Sequence, residues 1–267
     1  MAEDARSLRQ ETCRVDTHVH LYPCHETGVF LDAARSHTGD GTGVLMLTES
    51  AGFDVFSQFV SNGLPAGLPD WSITPTPEEG AALLLYRGEP ALLLVSGWQI
   101  NTAERLEVLA LGTRTRVADG LTLSETLAEV KAADGVPVIP WGFGKWWGTR
   151  GRILLDWLSG ADAAAGVFLG DNGNRPAGAP EPAPMRLARA RGVAVLPGSD
   201  PLSLPGHARR PGSYGLQLSA ALSPETPLTD LKTALRALRP ETVSTYGRRL
   251  GFPSFLAANL ALRLQKR

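Results

Sequence analysis

Cysteine is scarce in this 267-residue chain. Cys13 and Cys24 are the only two, too few for a disulfide framework, so stability has to come from a core. No apolar run approaches the roughly 20 residues that would cross a bilayer. The first eleven residues are charged and polar and lack the apolar stretch of a secretion signal, so the cytoplasm is the expected location. Net charge is almost absent as well: 26 Lys and Arg against 27 Asp and Glu leave −1 at pH 7. Such a balance gives no bulk attraction to nucleic acid or an anionic membrane, and a small molecule is the expected partner. Histidine is limited to five residues, which bounds how many imidazoles any site can use.

What the chain has is apolar strand-like runs and amphipathic helices in alternation. Apolar residues make up 43%, enough for one α/β domain over residues 13–267 behind a short tail, residues 1–12. Thr122 and Glu125 have capping-box spacing, with Leu123, Leu127 and Val130 on one face of the helix they open. Gly135 to Trp141 follows as a buried strand. The same phrase recurs as a helix over Pro184–Arg191 leading into Val193-Ala194-Val195-Leu196, with Ala165–Asn172 as a further strand. Helices are also expected over His25–Ser36 and Phe53–Val60, flanking a strand at Val44–Leu47, and over Leu228–Leu238 and Phe252–Leu264. Residues 81–95 read as two strands joined at Arg87-Gly88-Glu89-Pro90, and Glu104–Leu111 as another.

The chemistry concentrates at strand ends. Val15-Asp16-Thr17-His18-Val19-His20 places two imidazoles two residues apart, hence on one face of a strand, where both can converge on one ion. Asp16 shares that spacing and could orient a ligand from behind. Nearly at the other end of the chain, Gly198-Ser199-Asp200 closes a second apolar run. Cys24 reads as a packed residue or free thiol rather than a soft ligand.

These segments, in order, resemble the polymerase-and-histidinol-phosphatase (PHP) superfamily of metal-dependent phosphoesterases. Asp16-Thr17-His18-Val19-His20 has the form Asp-x-His-x-His. Leu47-Thr48-Glu49-Ser50 falls at a Thr-Asp-His position, Ser96-Gly97-Trp98-Gln99-Ile100 at a Gly-x-Glu strand, and Val138-Ile139-Pro140-Trp141-Gly142 at an apolar-His-Pro element. Gly198-Ser199-Asp200-Pro201-Leu202 has the form Gly-Ser-Asp-x-His without its last member. The resemblance covers residues 13 to about 205 and implies a distorted (β/α)7 TIM-like barrel with up to three metal ions at the strand ends. Ser50, Gln99, Trp141 and Leu202 depart from it. His18, His20, Asp200 and Glu49 are left, a set suited to one divalent ion (Zn, Mn or Fe) and similar also to a one-metal amidohydrolase or a TatD-like hydrolase.

The resulting expectation is a metal-dependent hydrolase of a phosphoester or other small anionic substrate. His18, His20, Asp200 and Glu49 would hold the ion, with Asp200 and Glu49 as the catalytic carboxylates, meeting at the C-terminal rim of the barrel. Lys145, Arg150 and Arg209 would neutralise substrate charge, with Gln99, Trp141 and Asp171 around them. Asp171-Asn172-Gly173-Asn174 is also ordinary turn composition. Trp141–Arg150 holds three of six tryptophans among glycines, a loop that either covers a ligand face or packs over the barrel end. The competing reading, motivated by the four departures, is a PHP-like barrel that has lost catalysis and binds a ligand or protein.

Overall fold

The computed structural model describes residues 12–39, 41–160 and 166–265, so the expected tail, residues 1–12, lies outside it except for its last residue. In chain order the elements are β1 (Cys13–Val19), α1 (Thr27–Thr38), β2 (Gly43–Leu47) and α2 (Val55–Asn62). Then come β3 (Trp71–Pro75), β4 (Ala81–Tyr86), β5 (Glu89–Val95), β6 (Gly97–Asn101) and β7 (Glu107–Leu111). The second half carries α3 (Leu123–Ala132), β8 (Val136–Pro140), α4 (Gly148–Ser159), β9 (Phe168–Asn172), α5 (Ala183–Ala190) and β10 (Val195–Gly198). A 3-10 turn at Pro205–Arg209 precedes β11 (Tyr214–Leu218), α6 (Pro227–Ala237), β12 (Ser244–Gly247) and α7 (Phe252–Gln265).

Local chemistry accounts for several boundaries. The Thr122 hydroxyl accepts from the Glu125 N–H while the Glu125 carboxylate accepts from the Thr122 N–H at 2.9 Å, so α3 begins in a complete capping box. Pro227 opens α6, where its missing N–H costs nothing. Turn residues Arg87 and Gly88 adopt positive φ between β4 and β5.

The strands form two mixed sheets. One has seven strands in the order β12-β11-β1-β2-β5-β4-β3, the other five in the order β10-β9-β8-β7-β6. This corrects the expected (β/α)7 TIM-like barrel, since no closed ring of strands forms among the described residues. The connections explain why. β3, β4 and β5, and likewise β6 and β7, fold back as antiparallel neighbours with no helix between them, and β11 returns antiparallel to β1. The chain thus lacks the unbroken strand–helix–parallel-strand repeat from which a TIM barrel closes.

The two sheets face each other across a shared core of Val15, Val44, Met46, Leu93, Leu109, Val138 and Leu196, among others, all essentially inaccessible. Fully burying one such side chain is worth about 1.5–3 kcal/mol. α1 and α2 cover the outer face of the larger sheet, and α3, α4 and α5 that of the smaller. Leu228, Leu231 and Leu235 of α6 plug the core at the end where β8 begins. The opposite end, where β1, β8, β9 and β10 finish in parallel, stays open to loops. There the sheets touch: the Asp200 N–H donates to the His18 carbonyl at 2.8 Å, and the Thr17 hydroxyl to the Pro197 carbonyl at 3.0 Å. Gly198 permits this approach, because a Cβ on it would lie 2.5 Å from His18 Cβ. Among the described residues no helix is long and apolar enough to cross a membrane.

Candidate metal centre and its cavity

His18 is the penultimate residue of β1 and His20 follows its end, so the strand alternation aims both imidazoles the same way. Their Nε2 atoms lie 3.1 Å apart. Asp200 comes to them from the end of β10, its Oδ1 at 3.5 Å from His18 Nε2 and 3.7 Å from His20 Nε2. Ligand atoms about 2.0–2.1 Å from a tetrahedral ion stand about 3.3–3.4 Å from one another, close to this triangle. Among the described residues these three are the cluster able to share an ion.

Burial sets their charge. It pulls His18 down to about 4 and His20 to about 3, so both rings are neutral at pH 7 and each has a lone pair to give. Burial also raises Asp200, opposed by His20, Asn174, Arg210 and Lys145. The contact is therefore not an imidazolium–carboxylate ion pair. Two neutral nitrogens and a carboxylate oxygen, with no proton obliged to lie between them, suit a cation.

The backbone behind the triangle is fixed from several sides. Asp16 is wholly buried, and its Oδ1 accepts from the N–H of His18 at 3.2 Å and of Ser199 at 2.8 Å, while Oδ2 accepts from Gly212 N–H at 2.8 Å. It ties β1 to β10 and β11, positioning the ligands through their backbones rather than through an imidazole. Asp200 itself sits at φ 48, a left-handed conformation that aspartate tolerates. Asn172 donates to Asp200 Oδ2 at 2.9 Å and Asn174 to the Asp200 carbonyl at 2.6 Å, holding that turn.

The triangle forms the floor of a cavity of about 400 Å³. Gln99 lines it beside the imidazoles and favours their charged form against burial, Trp141 forms part of the wall, and Lys145 reaches in with its Nζ 2.7 Å from Glu107 Oε1. Tyr22 stacks on His20, ring centroids 5.3 Å apart.

Other residues chosen from the sequence stand elsewhere. Glu49 is as buried as the histidines but turns away: its carboxylate accepts from the N–H groups of Val55 and Phe56 at the start of α2. Asp171 faces the opposite side of β9 from Asn172 and binds Arg175 at 2.6 and 2.8 Å and the Tyr214 hydroxyl at 3.0 Å. Arg150 donates to the Gly144 and Arg105 carbonyls and is outside the cavity wall. Arg209 is exposed, whereas its neighbour Arg210 is the one turned inward, donating to the Gly173 carbonyl at 3.2 Å. Sequence reasoning singles out neither Glu107 nor Tyr22, both of which line the cavity. Glu107 has a usable signal, since it is the charged residue that opens the apolar strand Glu107–Leu111.

No protein-family model and no curated protein sequence matches the chain. Solved structures match it in fold. PsfC from Pseudomonas syringae PB-5123 superposes with a TM-score of 0.60 at 17% identity, over 97% of this chain and 100% of that one. The lesion-specific endonuclease PfuEndoQ from Pyrococcus furiosus gives 0.52 at 12% identity, over 85% of this chain and 56% of its own. An endonuclease Q complex with a 27-mer duplex substrate, an abasic lesion at its active site, gives 0.50 at 12% identity, over 85% and 57%. The chain spans the whole of PsfC but just over half of either endonuclease chain. At such identities the likeness is one of fold.

Proposed function

We propose that this chain is a metal-dependent hydrolase of the PHP type, using one divalent ion to cleave a phosphoester or related small anionic substrate. The observation that carries the reading is the triangle of His18 Nε2, His20 Nε2 and Asp200 Oδ1 on the floor of a cavity. An ion there supplies Lewis acidity toward a substrate oxygen and toward water. The chain supplies the rest. Lys145 brings a positive charge for the substrate anion, and Glu107 holds the ammonium at the wall. Gln99 adds a polar side chain to the wall beside the two imidazoles, and Asn172 donates to Asp200 Oδ2 so that Oδ1 is the oxygen facing them. A volume near 400 Å³ suits a small molecule, and a net charge of −1 gives duplex nucleic acid no general attraction. The shared fold with a lesion-specific endonuclease makes a nucleic-acid substrate the comparison worth running.

The test is metal analysis of the purified protein, followed by hydrolysis assays with Zn, Mn and Fe on p-nitrophenyl phosphate, bis-p-nitrophenyl phosphate and an abasic-site duplex. The expected outcome is about one ion per chain and cleavage of a small ester. Ion binding without hydrolysis of any of the three would favour the non-catalytic, ligand-binding reading. Cleavage of the duplex alone would make the chain a nuclease, and failure to take up any of the three ions would sink the metal site.

A further inference from the structure

Beside the cavity of the metal triangle lies a second, larger one of about 570 Å³, which no role in hydrolysis uses. Its walls are apolar and flat: Phe143, Trp146, Trp147 and Phe252, with prolines of the 176–184 segment opposite. The two cavities adjoin, because Trp141, Phe143 and Phe255 line both. The rings of Phe143 and Phe255 meet edge to face at 5.1 Å, and Phe143 and Trp147 at 4.9 Å, so the aromatic surface continues from one to the other.

Helix α7 gives this arrangement a length. It contributes Phe252 and Phe255 to the apolar cavity and Phe255, Asn259 and Leu262 to the polar one. Positions 252, 255, 259 and 262 follow the three- and four-residue spacing of a single helix face. At 1.5 Å per residue that face runs about 15 Å across both cavities. Phe143, Trp147 and Phe252 are 45%, 62% and 59% exposed, more aromatic surface than a small domain leaves in water without use.

We propose that the substrate is elongated and amphipathic: its anionic, reacting group sits at His18, His20, Asp200 and Lys145, and an aryl or alkyl arm lies under α7 along Phe143 and Phe255 into the groove of Trp147 and Phe252. This rests on the anionic-site reading above and adds the class of the remainder of the molecule. The groove takes the arm because it is continuous with the reacting site, is apolar where that site is polar, and is open at its far end. Arg152 and Glu181 are the solvent-reached charges along the groove, while Arg175 is buried in its pair with Asp171.

Calorimetric titration of the metal-loaded protein with methylphosphonate and with 4-phenylbutylphosphonate tests this, since both carry the same non-hydrolysable head. The longer ligand is expected to bind at least about tenfold tighter. A Trp147→Ser/Phe252→Ser double variant, altered at exposed positions and checked for its fold by circular dichroism, is expected to erase that difference. Equal affinity of the two ligands for the unaltered protein would overturn the proposal while leaving the anion site standing. A difference that survives in the double variant would place the arm elsewhere and overturn it too. If neither phosphonate binds, the anionic-site reading fails and this proposal falls with it.

Discussion

β1 and β2 are parallel neighbours, and each ends in buried side chains of the metal-binding type, yet only one strand end builds a candidate metal site. His18, His20 and Glu49 are alike in exposure, at 5%, 4% and 5%. Their partners differ. Glu49 meets the first N–H groups of α2, which have no partner within the helix and carry the positive end of its dipole. Each of its oxygens thus accepts from the helix, and the carboxylate is turned away from the imidazoles. The imidazoles of β1 meet each other and Asp200 across the join of the two sheets; His20 also touches the Thr48 hydroxyl at 3.4 Å, which itself donates to the Val19 carbonyl, and among the described residues no backbone N–H donates to either ring. Burial of a ligand-type residue therefore says little about metal binding. What decides is whether another group has already satisfied its lone pairs.

The strongest test of that contrast removes one member from each strand end. His20→Ala and Asp200→Ala should each lose the bound ion on dialysis, by more than the about 10–100-fold in affinity that outer partners of metal ligands are worth. Glu49→Gln should retain about one ion per chain. Metal content after dialysis reads this directly, and a Glu49→Gln protein that loses its ion while His20→Ala keeps it would reverse the comparison.

A second, smaller contrast lies between the two cations of the 141–150 segment. Lys145 reaches the cavity wall, whereas Arg150 is spent on the Gly144 carbonyl at 2.7 Å. Lys145→Ala should raise KM for a phosphoester about tenfold, a loss of about 1.4 kcal/mol, with Arg150→Ala within about twofold of the parent. Steady-state kinetics on both variants would expose a misassignment, since a large KM change in Arg150→Ala has no account in this geometry.

Much of this was legible in the sequence, in specific places. The His18-x-His20 spacing, Asp200 at the end of an apolar run, the α3 capping box and the order of the later strands all follow from local periodicity and cap chemistry. The closed barrel did not follow, because whether consecutive strands pair parallel or fold back depends on connections that local pattern leaves open. The hairpin over 81–95 is visible in the sequence, but β11 returning to β1, and β12 to β11, are not. Alternation is what the sequence leaves open between neighbours: of Asp171 and Asn172, both at the end of an apolar run, Asn172 faces the site, and of the adjacent Arg209 and Arg210, Arg210 turns inward. A sequence gives a strand's period more readily than its phase.

Glu49 has its own consequence for stability. Glu49→Ala leaves the N–H groups of Val55 and Phe56 without their carboxylate and should cost about 1–2 kcal/mol, the usual worth of a helix N-terminal acceptor. Glu49→Gln, which keeps one acceptor oxygen, should cost less. Urea denaturation of the two variants measures it, and a Glu49→Ala protein as stable as the parent would show that α2 does not need this cap.

The smallest expected effect concerns His207, a histidine whose lone pair is claimed as Glu49's oxygens are. Its Nδ1 accepts from the Leu202 N–H at 3.0 Å, which requires a neutral ring. Burial, then the charge of Arg210 and the ring of His25, pull it from 6.5 down to about 4. Between those values the unfolded chain holds a proton at this position that the folded chain does not. Stability from His207 is thus fully present above pH 6.5 and is lost as pH falls toward 4. His207→Asn, whose amide oxygen can accept the same N–H, removes the titration and keeps the hydrogen bond. Its urea midpoint should fall less between pH 7 and pH 5 than that of the parent, by a fraction only, because buried His18, His20 and His25 are lowered as well and contribute in the same direction. An identical fall in both proteins would mean that the Leu202 N–H does not hold the His207 ring neutral in the folded chain.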